Sequence, residues 1–222
     1  MNTDKPVTIF DLCGTLYDSN TTMDFIREKI FPIKRKYLPF GRLSKFIGWK
    51  VFNKIFYKFF SIDLTRKVFV SSLKGYSQDE LALFAKQFIA EYLCSRKIEI
   101  TQQMLKASLS KGERVILISA SLDFIVKEVA TELGVEEYIA TTLDYDSMNR
   151  ICKGVIANDL LGRKTNVVTS HNLDISNALV VTDNLSDAAL VKGSAAAFIV
   201  SKSKHRNFWK KFTNVKEIYV FN

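Results

Sequence analysis

One stretch near the N-terminus constrains the fold more than any other part of this chain, and it reads VTIFDLCGTL from residue 7 to residue 16. Its first four residues predict a short buried strand, and Asp11 stands where that strand would end. Ligands of open parallel sheets bind outside the carboxyl ends of the strands. Gly14 allows the backbone to turn tightly beside Asp11. The stretch therefore predicts a strand of a parallel sheet that carries an acidic side chain to a ligand site.

The same pattern of an apolar strand with a polar tip recurs further along the chain. Largely apolar runs at residues 114–118 and 178–182 are typical of strands covered on both faces, and they end in Ser119-Ala120-Ser121 and Asp183-Asn184-Leu185-Ser186-Asp187. We also predict strands at 138–142, 196–200 and 217–221, a hairpin or excursion at 144–159, and helices at 122–133, stopped by Gly134, and within 160–170. Strands that alternate with helices predict an α/β fold with a doubly wound parallel sheet.

A helical insertion follows the first strand, because residues 19–98 lack the alternation that is typical of strands. Residues 19–22 offer helix N-caps for a short helix at 23–30, and Ser77 with Glu80 forms a capping-box pair for a helix that reaches about Tyr92. A further helix at about 101–109 returns the chain to the sheet. The sequence thus predicts an all-helical domain inserted into an α/β core.

The first half of this insertion is basic and aromatic. Between Arg27 and Lys67, twelve lysines and arginines face only two acidic residues, Glu28 and Asp63. Lysines at positions 50, 54 and 58 form one stripe of an amphipathic helix, and Trp49, Phe52, Phe56 and Phe59 fall on a neighbouring face. Three interpretations stay open: the helix lies on an anionic membrane surface, it binds nucleic acid through exposed rings, or its aromatics form the core of the insertion while its lysines are solvated.

Composition narrows the class of protein. The chain has 222 residues, 47% of them hydrophobic, which is enough for one sizeable core with an insertion. Three cysteines at unrelated spacings give no zinc or disulfide pattern, and two histidines are too few and too isolated for a cluster. The polar N-terminus lacks a signal-peptide core, and no run of about 18 apolar residues predicts a spanning helix. We therefore expect a cytoplasmic protein, and its net charge of +9 favours anionic partners.

Three polar strand tips carry the candidate chemistry: Asp11 with Thr15, Ser119 with Ser121, and Asp183 with Asp187. If the tips converge, the carboxylates would repel one another unless a cation such as Mg²⁺ lay between them. Asp11 could attack phosphorus to form an aspartyl-phosphate, with the metal and Lys164 offsetting charge in the transition state.

Simpler interpretations exist for each of these residues. Asp11 could be a turn residue, Asp183 and Asp187 could cap the next helix, and Ser119 or Ser121 could cap the helix at 122–133. Lys153 is a rival to Lys164.

Taken in order, these residues resemble the four motifs of the haloacid dehalogenase superfamily of phosphatases. Asp11-Leu12-Cys13-Gly14-Thr15 matches D-x-D-x-T, Ser119 matches the second motif, Lys164 the third, and Asp183 with Asp187 the fourth. The match extends over residues 7–200. The long helical insertion and Ser119-Ala120-Ser121 are similar to the phosphoserine-phosphatase-like branch. The resemblance implies a Rossmann-like core of residues 1–18 and 99–222 and a helical cap of residues 19–98.

The resemblance also implies roles for individual residues. Asp11 would be the nucleophile and a Mg²⁺ ligand, joined by the backbone carbonyl of Cys13, by Asp183, and by Asp187 directly or through water. Phosphate would be held by Gly14, Thr15, Ser119, Ala120 and Lys164. The implied activity is hydrolysis of a small-molecule or lipid phosphomonoester, with possible peripheral contact at the inner face of an anionic membrane; nucleic acid is the least favoured partner.

One residue departs from the family pattern. The second aspartate of D-x-D-x-T, the usual general acid and base, is Cys13 in this chain. A thiol with a pKa near about 8.5 is a poor match for an acid that cycles near neutral pH. The alternative function is therefore a catalytically weakened module that binds phosphate or a membrane surface.

Overall fold

The computed structural model describes residues 6–60, 62–171 and 173–220. Within them, seven strands form one sheet in the order β4-β3-β2-β1-β5-β6-β7, and only β4 runs antiparallel, to its neighbour β3. The strands are β1 (Val7–Phe10), β2 (Arg114–Leu122), β3 (Glu137–Tyr145), β4 (Cys152–Asn158), β5 (Ala178–Thr182), β6 (Ala196–Ser201) and β7 (Val215–Val220). The mostly parallel sheet confirms the predicted fold class. The last residue of the predicted strand 217–221 lies outside the described residues.

Ten α-helices accompany the sheet in the described residues. They are α1 (Thr21–Phe25), α2 (Leu38–Leu43), α3 (Ile47–Phe60), α4 (Leu64–Ser71), α5 (Gln78–Phe88), α6 (Glu99–Ser110), α7 (Asp123–Leu133), α8 (Lys164–Ser170), α9 (Ala188–Gly193) and α10 (Arg206–Trp209). Helices α1 and α5 each continue into a π-helical turn, at Ile26–Ile30 and Ile89–Leu93. Every helix from α1 to α5 lies between β1 and α6, so the insertion is helical as predicted.

Successive side chains of each strand point to opposite faces of the sheet, and helices cover both faces. In β1, Ile9 belongs to a cluster with α8, α9 and α10, whereas Phe10 belongs to a larger cluster on the opposite face. The larger cluster includes buried side chains of α1, α4 and α5 as well as those of α7. The insertion therefore shares one continuous core with the sheet, and the boundaries at residues 19 and 98 stay a prediction.

Local signals account for the ends of two helices. Ser77 and Glu80 form the predicted capping box at the start of α5. Gly134 adopts a left-handed conformation with φ of 70° and ends α7. The interpretation of Ser119 or Ser121 as a cap of α7 is wrong, because both serines lie within β2 and Leu122 occupies the cap position.

The central position of β1 brings the polar tips together. Phe10 lies opposite Leu117 of β2 on one side and opposite Val181 of β5 on the other. Asp11 stays in this register, since its backbone N–H donates to the carbonyl of Val181 at 2.9 Å. Because all three strands are parallel, their carboxyl ends meet at one edge of the sheet. The predicted strand tips therefore converge at that edge.

No helix among the described residues is both long enough and apolar enough to cross a bilayer.

Candidate active site

A cavity of about 540 Å³ lies at the carboxyl ends of β1, β2 and β5. Eight of the residues that the sequence singled out line it: Asp11, Cys13, Gly14, Ser119, Ala120, Ser121, Lys164 and Asp183. The other two, Thr15 and Asp187, are buried behind its wall. The structure thus brings all four motifs into one place, with two of their side chains acting on neighbours rather than on the cavity.

A buried lysine lies between two buried aspartates at the centre of the cavity wall. Lys164 opens α8, and its Nζ lies 2.7 Å from Oδ2 of Asp11 and 2.8 Å from Oδ2 of Asp187. Burial alone would lower the pKa of Lys164, but the two carboxylates outweigh burial and raise it, so the ammonium is kept charged. The rival Lys153 is exposed and pairs with Asp144 at 3.0 Å, away from this cavity.

Asp187 holds this lysine in place. It ends a 3₁₀ turn after β5, and its Oδ2 also accepts a hydrogen bond from Thr182 Oγ1 at 2.7 Å. Asp187 occupies the N-cap position of α9, but its side chain makes no capping hydrogen bond there, because it is engaged with Lys164 and Thr182. Its predicted contact with a metal stays a prediction.

The nucleophile candidate Asp11 is held on both carboxylate oxygens. Its Oδ1 accepts from the backbone N–H of Leu12 at 2.6 Å, and its Oδ2 faces Lys164. Burial raises the pKa of Asp11, while the Lys164 ammonium acts in the opposite direction and Asp187 adds to the rise. Asp11 therefore has a fixed orientation, but its protein partners do not fully replace the water that its charged form loses on burial.

Four aspartates line the cavity, Asp11, Asp18, Asp24 and Asp183, and Gly14 lies directly against Asp183. Burial, followed by the nearby charge of Asp11, raises the pKa of Asp183 to about 7. Its Oδ1 accepts from Thr15 Oγ1 at 3.2 Å. Gly14 has φ of 68°, and a Cβ on it would overlap the Asp183 carboxylate. The Gly14 amide donates to the carbonyl of Tyr17 at 2.8 Å, so its role as a phosphate ligand stays a prediction.

Cys13 belongs to a small network of hydroxyl groups. Its Sγ hydrogen-bonds with Ser121 Oγ at 3.0 Å and with Thr21 Oγ1 at 3.1 Å. Ser119 donates to Ser121 at 3.2 Å, which ties the second motif to the first. Removal from water, together with the Asp11 carboxylate, raises the pKa of the Cys13 thiol. The thiol is therefore protonated near neutral pH.

Among the residues of this site that sequence reasoning missed, three contact the motifs or bring positive charge to the cavity. Arg66 of α4 is buried, and one guanidinium nitrogen donates to the Ala120 carbonyl at 2.7 Å and to Asp159 at 3.1 Å. Thr21 meets Cys13 as described above. Lys202 follows β6 and lines the cavity. The sequence could have indicated Lys202, because it follows the carboxyl end of a predicted strand. Nothing in the sequence distinguishes Arg66 from the other eleven cations of its segment.

The donor set fits a hard cation that keeps part of its water shell. Among the described residues, no three His, Cys, Asp or Glu side chains are grouped closely enough to hold a metal ion by themselves. Mg²⁺ commonly takes only one or two carboxylates, with water and substrate phosphate completing its shell. Asp11 and Asp183 with the Cys13 carbonyl would supply such a set, and the raised pKa of Asp183 marks a carboxylate whose charge is not offset by protein groups alone.

Comparison with known proteins places these features in a family. The model of haloacid dehalogenase-like hydrolases matches residues 8–192. A histidinol-phosphatase from Neisseria meningitidis serogroup C (strain 8013) is 26% identical over 151 residues, which cover 66% of this chain. The match spans 64% of that relative, just under two thirds of its length.

Solved structures share the fold. A protein with unknown function from Bordetella pertussis Tohama I has a TM-score of 0.77 at 16% identity and covers 99% of this chain and 100% of its own. A phospho-aspartyl intermediate analogue of phosphoserine phosphatase has a TM-score of 0.57 at 14% identity, covering 98% of this chain and 94% of its own.

Proposed function

Because this chain belongs to the haloacid dehalogenase-like hydrolase family, we propose that it hydrolyses phosphomonoesters through an aspartyl-phosphate on Asp11. One observation carries the proposal. Asp11 lies at the end of the central strand, in a cavity that also holds a permanently charged lysine 2.7 Å away and a second carboxylate, Asp183. A carboxylate nucleophile, a fixed cation and a second acidic group are the parts that this reaction needs.

In the first step, a carboxylate oxygen of Asp11 attacks phosphorus and the bond from phosphorus to the ester oxygen breaks. The leaving oxygen takes a proton and departs as an alcohol. Lys164 stabilises the negative charge that develops on the phosphoryl oxygens, and Asp187 with Thr182 keeps its Nζ in place. Ser119 at the cavity wall would donate a hydrogen bond to a phosphoryl oxygen in exchange for the one that it donates to Ser121.

In the second step, water attacks the aspartyl-phosphate, the bond from phosphorus to Asp11 breaks, and inorganic phosphate leaves. The Asp11 carboxylate is regenerated, and the proton of the attacking water has to be accepted. The Cys13 thiol can donate a proton to the leaving oxygen in the first step, but its raised pKa makes it a weak acid, and the thiolate that remains can accept the proton of the attacking water in the second. Slow departure of a leaving group that needs a proton is therefore the expected cost of Cys13.

Magnesium is the proposed cofactor. Asp11, Asp183 and the Cys13 carbonyl would hold it, and when bound it would supply positive charge next to the transferring phosphoryl group. Because that third ligand is a carbonyl of the backbone, replacement of the family aspartate by Cys13 leaves this donor in place.

A second cavity supports a substrate whose leaving group is partly apolar. It has a volume of about 370 Å³, and Arg66 and Leu161 line both it and the catalytic cavity. Its walls combine the apolar side chains Ile62, Val70, Val155 and Ile156 with the cations Lys67 and Arg163. Its acidic residues are engaged, since Asp63 caps α4 and Asp159 pairs with Arg66. Between the small-molecule and lipid phosphomonoesters that the sequence leaves open, these walls favour a lipid phosphate.

The experiment measures phosphate release from a panel, with magnesium and with chelator. The panel contains p-nitrophenyl phosphate, a sugar phosphate, a lipid phosphate in detergent micelles, and histidinol phosphate and phosphoserine as suggested by the relatives. We expect magnesium-dependent release, with the lipid phosphate preferred, and a loss of roughly 10³-fold or more in Asp11→Asn. Asp79→Asn, an equivalent change at an exposed position of α5, should retain wild-type activity.

The second candidate function is a phosphate-binding module that no longer turns over. It is favoured by one observation, the thiol at position 13. Folded protein that releases no phosphate from any substrate, yet binds inorganic phosphate with magnesium and loses that binding in Asp183→Asn, would establish this alternative instead of the hydrolase.

A further inference from the structure

Helix α3 is attached to the rest of the molecule along one narrow face. None of its fourteen described residues is buried, and only Trp49, Asn53 and Phe56 are half-buried. Trp49 Nε1 donates to Thr65 Oγ1 at 2.8 Å, and Asn53 Nδ2 donates to Asp63 Oδ1 at 3.0 Å. The three half-buried residues are spaced as one side of a helix, so the opposite side faces outward.

The outward side carries a continuous apolar stripe. Val51, Ile55 and Phe59 recur every fourth residue, and their exposed fractions are 53%, 52% and 75%. Phe52 borders this stripe, and Phe46 and Ile47 extend it at the start of the helix. Single exposed apolar residues are normal on soluble proteins, whereas a contiguous apolar patch on an otherwise charged surface marks an interaction site.

A cationic stripe runs beside the apolar one. Lys50, Lys54 and Lys58 also recur every fourth residue and are exposed. From Lys29 to Phe60 the chain contains nine lysines and arginines and neither aspartate nor glutamate. The prediction that the aromatics of α3 share one face is only partly correct, because Trp49 and Phe56 turn inward while Phe52 and Phe59 remain exposed.

We propose that α3 docks on the surface of an anionic lipid bilayer. Its apolar stripe would enter the boundary between headgroups and acyl chains, and Lys50, Lys54 and Lys58 would contact lipid phosphates. Two other partners fit this face less well. Nucleic acid bound to α3 would leave the apolar side chains of Val51 and Ile55 in water. A second copy of the chain docked on α3 would bring two cationic stripes together, and their like charges would repel. The docking rests on α3 alone and does not depend on the proposed hydrolase activity.

The test is flotation of the full chain with vesicles of phosphatidylcholine, alone or mixed with phosphatidylglycerol. We expect binding to the mixed vesicles, weakened by high salt. A variant with Lys50, Lys54 and Lys58 changed to Gln should bind on the order of a hundredfold more weakly, because each interfacial lysine contributes about 1 kcal/mol. A matched variant with the exposed Lys106, Lys111 and Lys192 changed to Gln loses the same charge and should bind as wild type.

The apolar contribution is tested by changing Val51, Ile55 and Phe59 to Ser. This variant should also lose vesicle binding while its hydrolysis of soluble p-nitrophenyl phosphate and its melting curve match wild type. Absence of wild-type binding to mixed vesicles, or equal losses in both lysine variants, overturns the proposal. A wild-type dimer that the Ser variant converts to a monomer, without vesicle binding, would assign the face to a second copy. In each case the activity assay reports separately on the proposed function.

Discussion

The thiol of Cys13 is the one side chain at which this site departs from D-x-D-x-T. Its pKa is raised by removal from water and by Asp11, so it holds its proton where an aspartate would cycle. General acid–base assistance is worth roughly 10²–10⁴-fold. We therefore expect Cys13→Asp to raise kcat at least about tenfold with an alkyl phosphate and less with p-nitrophenyl phosphate, whose leaving group needs little help. Steady-state kinetics with the two substrates measures the difference.

The control for loss of a thiol is Cys94→Ala, since Cys94 is exposed and lies outside the cavity. It should leave both rates unchanged. If Cys13→Asp lowers both rates or changes neither, the thiol is adapted to its own substrate, and the network with Thr21 and Ser121 is part of that adaptation.

At the residue scale, sequence reasoning located the residues whose position follows from a strand end. Asp11 and Asp183 each come directly after a buried parallel strand, so sheet topology alone places them at one edge. Lys164 has no such local signal, and Lys153 lies between the same two motifs, so the order of the motifs does not separate the two lysines. Arg66 could not have been found, because its contact with the Ala120 carbonyl depends on the packing of α4 against the end of β2.

The loop after β1 is the element on which the site geometry depends, and Gly14 is its most constrained position. Its φ of 68° is unfavourable for an L-residue, and a Cβ would overlap the Asp183 carboxylate. We expect Gly14→Ala to displace Asp183 and to lower kcat/KM by about tenfold or more, because small displacements of catalytic groups are costly. Phosphate release as a function of magnesium concentration should show a weakened apparent affinity as well.

Gly134→Ala is the control that separates the backbone strain in Gly14→Ala from the clash of its Cβ with Asp183. Gly134 has φ of 70°, nearly that of Gly14, but a Cβ there would meet open space among the described residues. Both variants should lose about 1 kcal/mol of unfolding free energy from the left-handed conformation, measured by urea denaturation. Equal activity in the two variants would mean that contact between Gly14 and Asp183 does not set the catalytic geometry.

Elements were predictable from sequence where local chemistry decides their bounds. Strand β5 was predicted with its observed limits, because a short run of buried apolar residues bounded by polar ones leaves few alternatives. Strand β3 was predicted too short, since its last residues pair with β4 and only Leu143 among them is buried, whereas Asp144 and Tyr145 are half-buried, so the apolar signal is weak. The inward face of α3 was not predictable, because it is selected by partners on α4 and by Phe40.

At the scale of the whole molecule, the insertion and the sheet act as one body around the site. Arg66 joins α4 to the Ala120 carbonyl at the end of β2, and it lines both cavities. Tyr57 of α3 lines the second cavity as well. A lipid phosphate taken up beside a docked α3 would therefore have its phosphate near Asp11 and its apolar part near α4 and β4. The two proposals are compatible, although neither requires the other.

The Asp183 carboxyl couples the stability of the whole molecule to pH. Its pKa is raised to about 7 in the folded protein, from an ordinary value of 3.8. Between these values the folded protein holds a proton that the unfolded chain releases. The contribution of Asp183 therefore favours folding below pH 3.8 and is lost as the pH rises to about 7. Without divalent metal, we expect the melting temperature of wild type to fall by several degrees more than that of Asp183→Asn between about pH 5 and about pH 7.5.

Magnesium should reverse this trend, because a cation binds the deprotonated carboxylate and competes with its proton. Added magnesium is expected to raise the melting temperature of wild type more at about pH 7.5 than at about pH 5, and to raise that of Asp183→Asn less at either pH. Scanning calorimetry of both proteins, with magnesium and with chelator, gives melting temperature as a function of pH for each of the four combinations. Parallel pH dependence in the two metal-free proteins would show that Asp183 is already compensated by Thr15 and Lys164. The case for a cation at the end of β5 would then lose its main physical support.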